Sequence, residues 1–461
     1  MPMPQPRRLE PGLLATLLFL SAALLLGGSS AAAPGTDVVR LASIPVMLIA
    51  LWRLRELPPS AEAWWPLGIF AAAVALTIAQ LIPLPPALWT HFPGRQTVLD
   101  GFRAAAIAPP WAPLSLTPDA TFAGLLGFLP PAAMFLAVLT TDGLGRRALL
   151  ATVLVIGVLA VIAGMMQMAT GPSGPFRPYV VTNLDSAVGF FANRNHQAAF
   201  LLCAVPLAAY WAVRPAGGGG QQSAFLAAVA VALFTVLVVS LGLTRSRAGV
   251  ILLAPALAGS ALVAVRRRTG AYTLVSPAIL TAAGLTGVAL VGLFAFTPIA
   301  NRFHAELDQD LRVRLTPVVA QAAMAYSPPG SGLGSFETVY RTIERPPAMV
   351  ADYVNHAHDD YLETWLEFGW PGLAIMAGFI AWWLVRSIGI ARRRDGAASM
   401  AMAGAVMVGI LMAHSIVDYP LRTPALATLF ALGCGLMIAP PERRGPSRGP
   451  AIKRPGEPTD R

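Results

Sequence analysis

Residues 148–169 read ALLATVLVIGVLAVIAGMMQMA, an uninterrupted apolar run that directly follows Arg146 and Arg147. About 20 apolar residues are enough for an α-helix to cross the hydrocarbon core of a bilayer. Lipid offers no hydrogen-bond partner to an open backbone, so a single run of this kind can cross only as a helix. The stretch therefore predicts a transmembrane helix.

The composition of the whole chain extends this prediction. Of 461 residues, 56% are hydrophobic and 12% are charged, whereas about 25% of the residues of an ordinary soluble protein are charged. The mean hydropathy is +0.62. These values exclude an ordinary soluble enzyme. Cys203 and Cys434 both lie inside apolar runs, which argues against a disulfide framework and against a cysteine metal site.

Apolar segments of this kind recur along the chain, and they predict an all-α polytopic membrane protein with about 12 transmembrane helices. The predicted spans are 12–30, 38–52, 65–82, 121–139, 148–169, 196–213, 224–243, 249–265, 273–296, 370–390, 398–417 and 424–440. The predicted organisation is an N-terminal part (1–120) with spans 1–3 and a loop, then spans 4–9 (121–296), one large periplasmic loop (297–369), spans 10–12 (370–440) and a disordered basic cytoplasmic tail (441–461).

The positions of the basic residues indicate how the chain is oriented in the membrane. The 33 basic and 23 acidic residues give a net charge of +10, but the arginines cluster in short links between apolar segments, which does not favour a nucleic-acid partner. Arginine-rich links face the cytoplasm, and this rule predicts that both termini are cytoplasmic.

The N-terminal run also resembles a signal peptide. We favour its retention as helix 1, because multispanning proteins rarely need a removable signal.

The large loop is the first indication of function. It holds ten of the 23 carboxylates and three of the six histidines, and long polar links between spans are unusual unless they carry function. In its last part, His358 is expected to begin a helix packed on the membrane, with Asp359 and Glu363 beside it. A histidine with carboxylate neighbours suits a general base.

Two alternatives were considered for this segment. His356 and His358 could be surface histidines near a helix start, with Asp359 as the N-cap. A zinc site built on the His-x-His pair is a further alternative that the sequence alone favours less.

Arginines at the predicted outer boundary of the membrane form a second group. Arg194 lies in Asn-Arg-Asn-His at the start of span 6, and Arg245 and Arg247 lie in a turn between spans 7 and 8. Arginine next to hydrocarbon marks an anionic ligand or a paired carboxylate, and guanidinium groups at a helix start suit a diphosphate. Alternatively, these side chains extend to lipid phosphates. The glycine-rich segment 330–336 is expected to be a turn, because it lacks the spacing and lysine of a nucleotide loop.

Taken in order, these motifs resemble the O-antigen ligase and polymerase superfamily. The resemblance covers about 189–372 and rests on Asn193-Arg194-Asn195-His196, Ser246-Arg247-Ala248-Gly249, the segment Gly330–Phe336, and His358 with Gly369 and Gly372 at the family's spacing. Asp359 departs from the family pattern, which more often has Asn, Ser or Gln there. This departure weakens an assignment to the lipopolysaccharide ligase branch more than the superfamily itself.

The resemblance implies glycan transfer from undecaprenyl diphosphate at the periplasmic face of the bacterial inner membrane, without a cofactor and without a required metal. It implies that Arg194 and Arg247, with Arg245, bind the diphosphate, and that His358 is the catalytic base of an inverting transfer. Asp359 and Tyr361, beside the base, complete the predicted substrate site.

The acceptor stays open at this stage. It is a lipid A core for a ligase, a growing O-antigen or exopolysaccharide chain for a polymerase, or, less expected, a secreted protein. The competing class is a multispanning transporter or flippase of lipid-linked glycans. The sequence disfavours a transporter, since it has no matched pair of broken helices and few charges within its spans.

Overall fold

The computed structural model describes residues 10–213, 221–266, 274–305, 311–344, 354–393 and 396–441. Several predictions concern residues outside these ranges. They include the basic tail beyond residue 441 and parts of the predicted large loop.

The described residues fold almost entirely into α-helices, which confirms the all-α membrane class. Two short strands, β1 (Pro83–Leu84) and β2 (Ala112–Pro113), pair antiparallel with Pro83 opposite Pro113. The helices are α1 (Pro11–Leu26), α2 (Pro34–Glu56), α3 (Trp64–Leu81), α4 (Pro86–Trp89), α5 (Gln96–Ala104), α6 (Pro118–Leu126), α7 (Leu129–Leu139), α8 (Gly143–Thr170), α9 (Arg194–Ala212), α10 (Gln221–Thr244), α11 (Arg247–Arg266), α12 (Pro277–Ala305), α13 (Leu311–Tyr326), α14 (Phe336–Ile343), α15 (Asp360–Arg392), α16 (Gly396–His414) and α17 (Pro424–Leu436).

Each of the twelve predicted spans contains a helix, but only some of these helices are suited to cross a bilayer alone. In the described part of the chain, seven helical segments are long and apolar enough, and α1, α17 and residues 277–293 of α12 are apolar but shorter. The number of twelve spans therefore stays a prediction. α12 also continues past the predicted end of its span at residue 296 and reaches Ala305.

Helix α9 lies at the centre of the bundle. Nearly all its residues from Asn195 to Ala212 are buried, and it packs against α10, α11 and α16. Because its surroundings are protein rather than lipid, it tolerates polar residues at its first turn. This central helix carries one of the arginine motifs into the site.

The large loop has an apolar core of its own, separate from the core of the bundle. Leu315 and Val319 of α13, Phe336 and Val339 of α14, and Leu366 of α15 form this second cluster. Apolar burial of this kind gives the loop a defined structure. The loop therefore forms a small helical layer at one end of the bundle.

The start of α15 is fixed by a glycine-rich turn. Ser331 and Gly332 donate backbone N–H groups to the carbonyl oxygens of Leu366 and Glu367, both at 2.9 Å. Gly369 has φ 61° and ψ −150°, and a Cβ placed there would lie 1.9 Å from the Pro328 carbonyl oxygen. The sequence predicted a helix leading directly into span 10. The structure instead breaks that helix at Gly369, where the backbone of Pro328 approaches too closely for any side chain.

Candidate functional site

The sequence motifs meet at one end of the bundle through a chain of hydrogen bonds. His358 Nδ1 lies 3.3 Å from Asp418 Oδ1. Asn195 Nδ2 donates to Asp418 Oδ2 at 2.5 Å, and Ser246 Oγ donates to Asn195 Oδ1 at 2.7 Å. The predicted base is thus connected with both arginine motifs, because Asn195 follows Arg194 and Ser246 precedes Arg247.

His358 lies just before α15 rather than on it, which corrects the prediction that it begins the helix. Its φ is 55°, a conformation that few residues other than glycine adopt. Such backbone conformations persist only where the surroundings fix them. Here the contact with Asp418 holds the His358 side chain, and the next residue, Asp359, is held as the N-cap of α15. The His358 side chain is 19% exposed, so its ring is held but reachable.

Asp418 is fully buried and orients the His358 ring. Its Oδ1 also accepts the N–H of Tyr419 at 3.0 Å, and its Oδ2 is bound by Asn195. These donors hold the carboxylate as an acceptor. His358 Nδ1 must then carry the proton of that contact, which leaves Nε2 with the lone pair.

Three histidine rings pack around the ring of Tyr419. The ring centroids of His356, His358 and His196 lie 4.3, 4.9 and 5.1 Å from that of Tyr419. Burial raises the pKa of Tyr419, and the Asp418 carboxylate raises it further. The hydroxyl therefore stays protonated and donates to Asn355 Oδ1 at 3.5 Å.

A second histidine–carboxylate pair lies beside the first. His356 Nδ1 is 2.8 Å from Glu363 Oε1, and Glu363 Oε2 accepts the N–H of Ala357 at 2.8 Å. The His356 ring, like the His358 ring, packs against the ring of Tyr419. The site therefore contains two oriented imidazoles, of which only His358 has the spacing to Gly369 and Gly372 that the motif requires.

Arg422 neutralises the carboxylates on the first turns of α15. Its nitrogens lie 3.3, 3.0 and 3.0 Å from the carboxylates of Asp360, Glu363 and Glu367. Burial lowers the pKa of Arg422, but the carboxylates raise it more, so the guanidinium stays charged. These three carboxylates are thus paired inside the protein.

The predicted arginines lie where α9 and α11 begin. Arg194 and Arg245 both face Asp185, with N···O distances of 3.6 and 3.9 Å. Arg245 has φ 52° in the turn between α10 and α11, and Arg247, half-buried, begins α11. The turn therefore brings a second arginine motif next to the start of α9, as a shared anion site requires.

Asp359 and Tyr361 have structural contacts. Asp359 Oδ1 accepts the N–H groups of Tyr361 and Leu362 at 2.9 and 3.0 Å, and burial raises the pKa of its carboxyl. The Tyr361 hydroxyl donates to the Met412 carbonyl oxygen on α16 at 2.9 Å. These contacts match the N-cap alternative for Asp359. A role of either side chain in binding substrate stays a prediction.

Several residues of this site, above all Arg422, Tyr419 and Asp185, were not predicted from the sequence. Arg422 lies on the predicted outer side, where an arginine is unexpected, so the reasoning that selected Arg194 would have selected it too. In the described part of the chain, no group of three or more His, Cys, Asp or Glu side chains is arranged to hold a metal ion.

Residues 231–377 match the family model described as O-antigen ligase. The match includes the Ser246–Gly249 turn and His358, whereas Arg194, Asn195 and Asp418 lie outside it. No curated protein matches the chain. The match covers 147 of the 461 residues, and it supports the resemblance of the sequence motifs to the O-antigen ligase superfamily.

Proposed function

We propose that this protein transfers a glycan from undecaprenyl diphosphate to an acceptor hydroxyl at the periplasmic face of the bacterial inner membrane. The observation that carries the proposal is the hydrogen-bond chain from His358 through Asp418 and Asn195 to Ser246. It joins a candidate base to the motifs that carry the candidate diphosphate ligands. A transporter has no need for such a connection.

In the proposed reaction, His358 Nε2 accepts the proton of the acceptor hydroxyl. The acceptor oxygen attacks the anomeric carbon, the bond from that carbon to the diphosphate oxygen breaks, and the diphosphate leaves with the bonding electrons. Attack opposite the leaving group inverts the anomeric centre. Asp418 stabilises the imidazolium that forms, since a carboxylate at Nδ1 favours the charged ring.

The leaving group requires charge neutralisation rather than protonation. A diphosphate ester already departs readily, and guanidinium groups fixed at helix starts can hold the growing negative charge. We assign this task to Arg194, Arg245 and Arg247. Because these cations supply the positive charge, the proposed reaction has no required metal.

The helical layer of the large loop would cover the donor. Its apolar cluster, with Leu315, Phe336 and Leu366 at its centre, holds the segment that leads to His358 in place. Water kept out of the site cannot compete with the acceptor. The acceptor is either the lipid A core or the end of a growing chain. A deletion strain separates the two, since single repeat units accumulate without a polymerase and long carrier-bound chains accumulate without a ligase.

The test of the base is His358→Ala in proteoliposomes supplied with a polyprenyl-diphosphate-linked glycan and its acceptor. The loss of a general base lowers kcat by about 10²–10⁴-fold, while binding of the donor is expected to persist because the arginines are intact. His91→Ala is the matched control, since His91 is exposed and its ring contacts the neighbouring Thr90.

His356→Ala distinguishes the two imidazoles, and we expect it to lower kcat much less than His358→Ala. If His356→Ala gave the larger loss, the base would be His356. Full activity of His358→Ala would remove the assignment of a base at this position altogether.

A further inference from the structure

A cavity of about 160 Å³ lies at the end of the bundle opposite the His358 site. Helix α15 connects the two, because it runs from Asp360 beside His358 to Arg392 beside the cavity. The part of α15 beyond the break at Gly369 is about 35 Å long at 1.5 Å per residue, close to the thickness of a bilayer core. The cavity therefore lies at the level of the opposite leaflet.

The charged residues that line this cavity are all arginines. Arg146 and Arg147 come from the first turn of α8, and Arg393 follows α15. Among the described residues, none that lines the cavity is acidic. Asp142 interacts electrostatically with Arg146, but it is not part of the lining and its side chain caps α8 through the N–H of Gly145.

The buried guanidinium of Arg146 is a fixed charge. It is 1% exposed and donates to the carbonyl oxygens of Val138, Thr141 and Ile438 at 3.0, 3.0 and 2.6 Å. These three acceptors are neutral carbonyls, so they do not cancel its charge. At the same end of the bundle, Arg386 by contrast pairs with Glu62 at 2.8 Å.

The rest of the lining is mostly apolar. It includes Met400 and Ala401 of α16 and the segment Leu436–Ile438 at the end of α17. A free phosphate would gain nothing from these side chains and would lose water beside them. A phosphate that is attached to a glycerol and acyl chains would contact both kinds of surface.

We propose that this cavity binds the phosphate headgroup of an anionic phospholipid in the leaflet opposite the His358 site. Basic pockets between transmembrane helices are suited to such headgroups. The lipid would join the ends of α8, α15, α16 and α17. Two of these helices, α16 and α17, flank Asp418 at their other ends, so the lipid would brace the helices that position the partner of His358.

The test uses the full chain in nanodiscs of phosphatidylcholine alone or of phosphatidylcholine mixed with phosphatidylglycerol. Lipid retained by the purified protein is measured by native mass spectrometry, and stability is measured as Tm. We expect phosphatidylglycerol to be retained and to raise the Tm. In Arg147→Gln/Arg393→Gln, affinity for phosphatidylglycerol should fall about thirtyfold, from about fivefold for each arginine.

The matched control is Arg55→Gln/Arg392→Gln, which removes the same charge from two exposed positions at the same end. Its retention of lipid should equal that of the unmodified protein. Ala397→Glu is a second variant, since it adds a carboxylate to the lining and keeps all three arginines; it should also lose the lipid. Equal retention by the cavity variants and the control would overturn the proposal. It would also fail if inorganic phosphate raised the Tm as much as phosphatidylglycerol does.

Discussion

At the scale of single residues, Asp185 contacts two of the three arginines that we propose bind the diphosphate. Its carboxylate lies between Arg194 and Arg245 at 3.6 and 3.9 Å, longer than the roughly 2.7–2.9 Å of a charge-assisted hydrogen bond. Asp185 therefore holds the guanidinium groups of Arg194 and Arg245 near each other through two long ion pairs. A diphosphate donor brings more negative charge to the same guanidinium groups, so Asp185 would compete with it.

Asp185→Asn removes this competing charge with little change of shape. We expect the KM for the lipid-linked donor to fall about two- to fivefold, the range for an exposed ion pair, with kcat unchanged. Steady-state rates over a range of donor concentrations measure both. Asp100→Asn is the control, because Asp100 is an exposed carboxylate that pairs with the exposed Arg103 at 2.9 Å. A higher KM in Asp185→Asn would mean that Asp185 organises the arginines instead.

His358 and Asp418 show which site residues can be found in a sequence. His358 was predicted because its spacing to Gly369 and Gly372 is local and lies in a polar segment. Its partner Asp418 is 60 positions away and follows a different helix. Which carboxylate meets the histidine depends on how α15 and α16 pack, and no local pattern contains that information.

At the scale of elements, the break in α15 positions the site. The first turns carry Glu363 and Glu367 toward Arg422, and the remainder is apolar and suited to lipid. Gly369, Pro371 and Gly372 disfavour a helix interior, but these residue types alone do not give the geometry of the break. It arises from the close approach of Pro328, whose carbonyl oxygen accepts the N–H of Trp370 at 2.9 Å.

Gly369→Ala should therefore be costly. A Cβ at this backbone conformation is strained and meets the Pro328 carbonyl, so we expect the free energy of unfolding to fall by about 2–4 kcal/mol. Tm in detergent and transfer activity should both drop. Gly378→Ala is the control in the same helix, because a Cβ there meets nothing within 4 Å; its stability should change by no more than about 1 kcal/mol. Equal Tm values for the two variants would contradict a role of the break.

At the scale of the whole molecule, the helices could be predicted from apolar runs, but their environment could not. Residues 196–213, which contain most of α9, were predicted to be a membrane span, yet the helix is buried in protein. Hydropathy measures the preference of a segment to leave water, and it does not separate lipid from a protein interior. The central position of α9 therefore emerged only from packing.

The orientation in the membrane is tested by cysteine labelling. Cys203 and Cys434 are buried, so they should react little. Val180 is fully exposed beside the arginine site, and Arg392 is exposed at the opposite end. A membrane-impermeant maleimide should label Val180→Cys in spheroplasts and Arg392→Cys only after the membrane is opened. The reverse pattern would invert the predicted topology and place the His358 site in the cytoplasm.

The hydrogen-bond chain from His358 to Ser246 also limits how the protein can be redesigned. Chimaeras that exchange only the large loop with a protein of the O-antigen ligase superfamily would separate the histidine from the Asp418–Asn195–Ser246 network that contacts it. A productive exchange would have to move the loop together with the start of α9, the α10–α11 turn and the link between α16 and α17. The unit of exchange is thus a set of four distant segments, although the family match covers one continuous stretch.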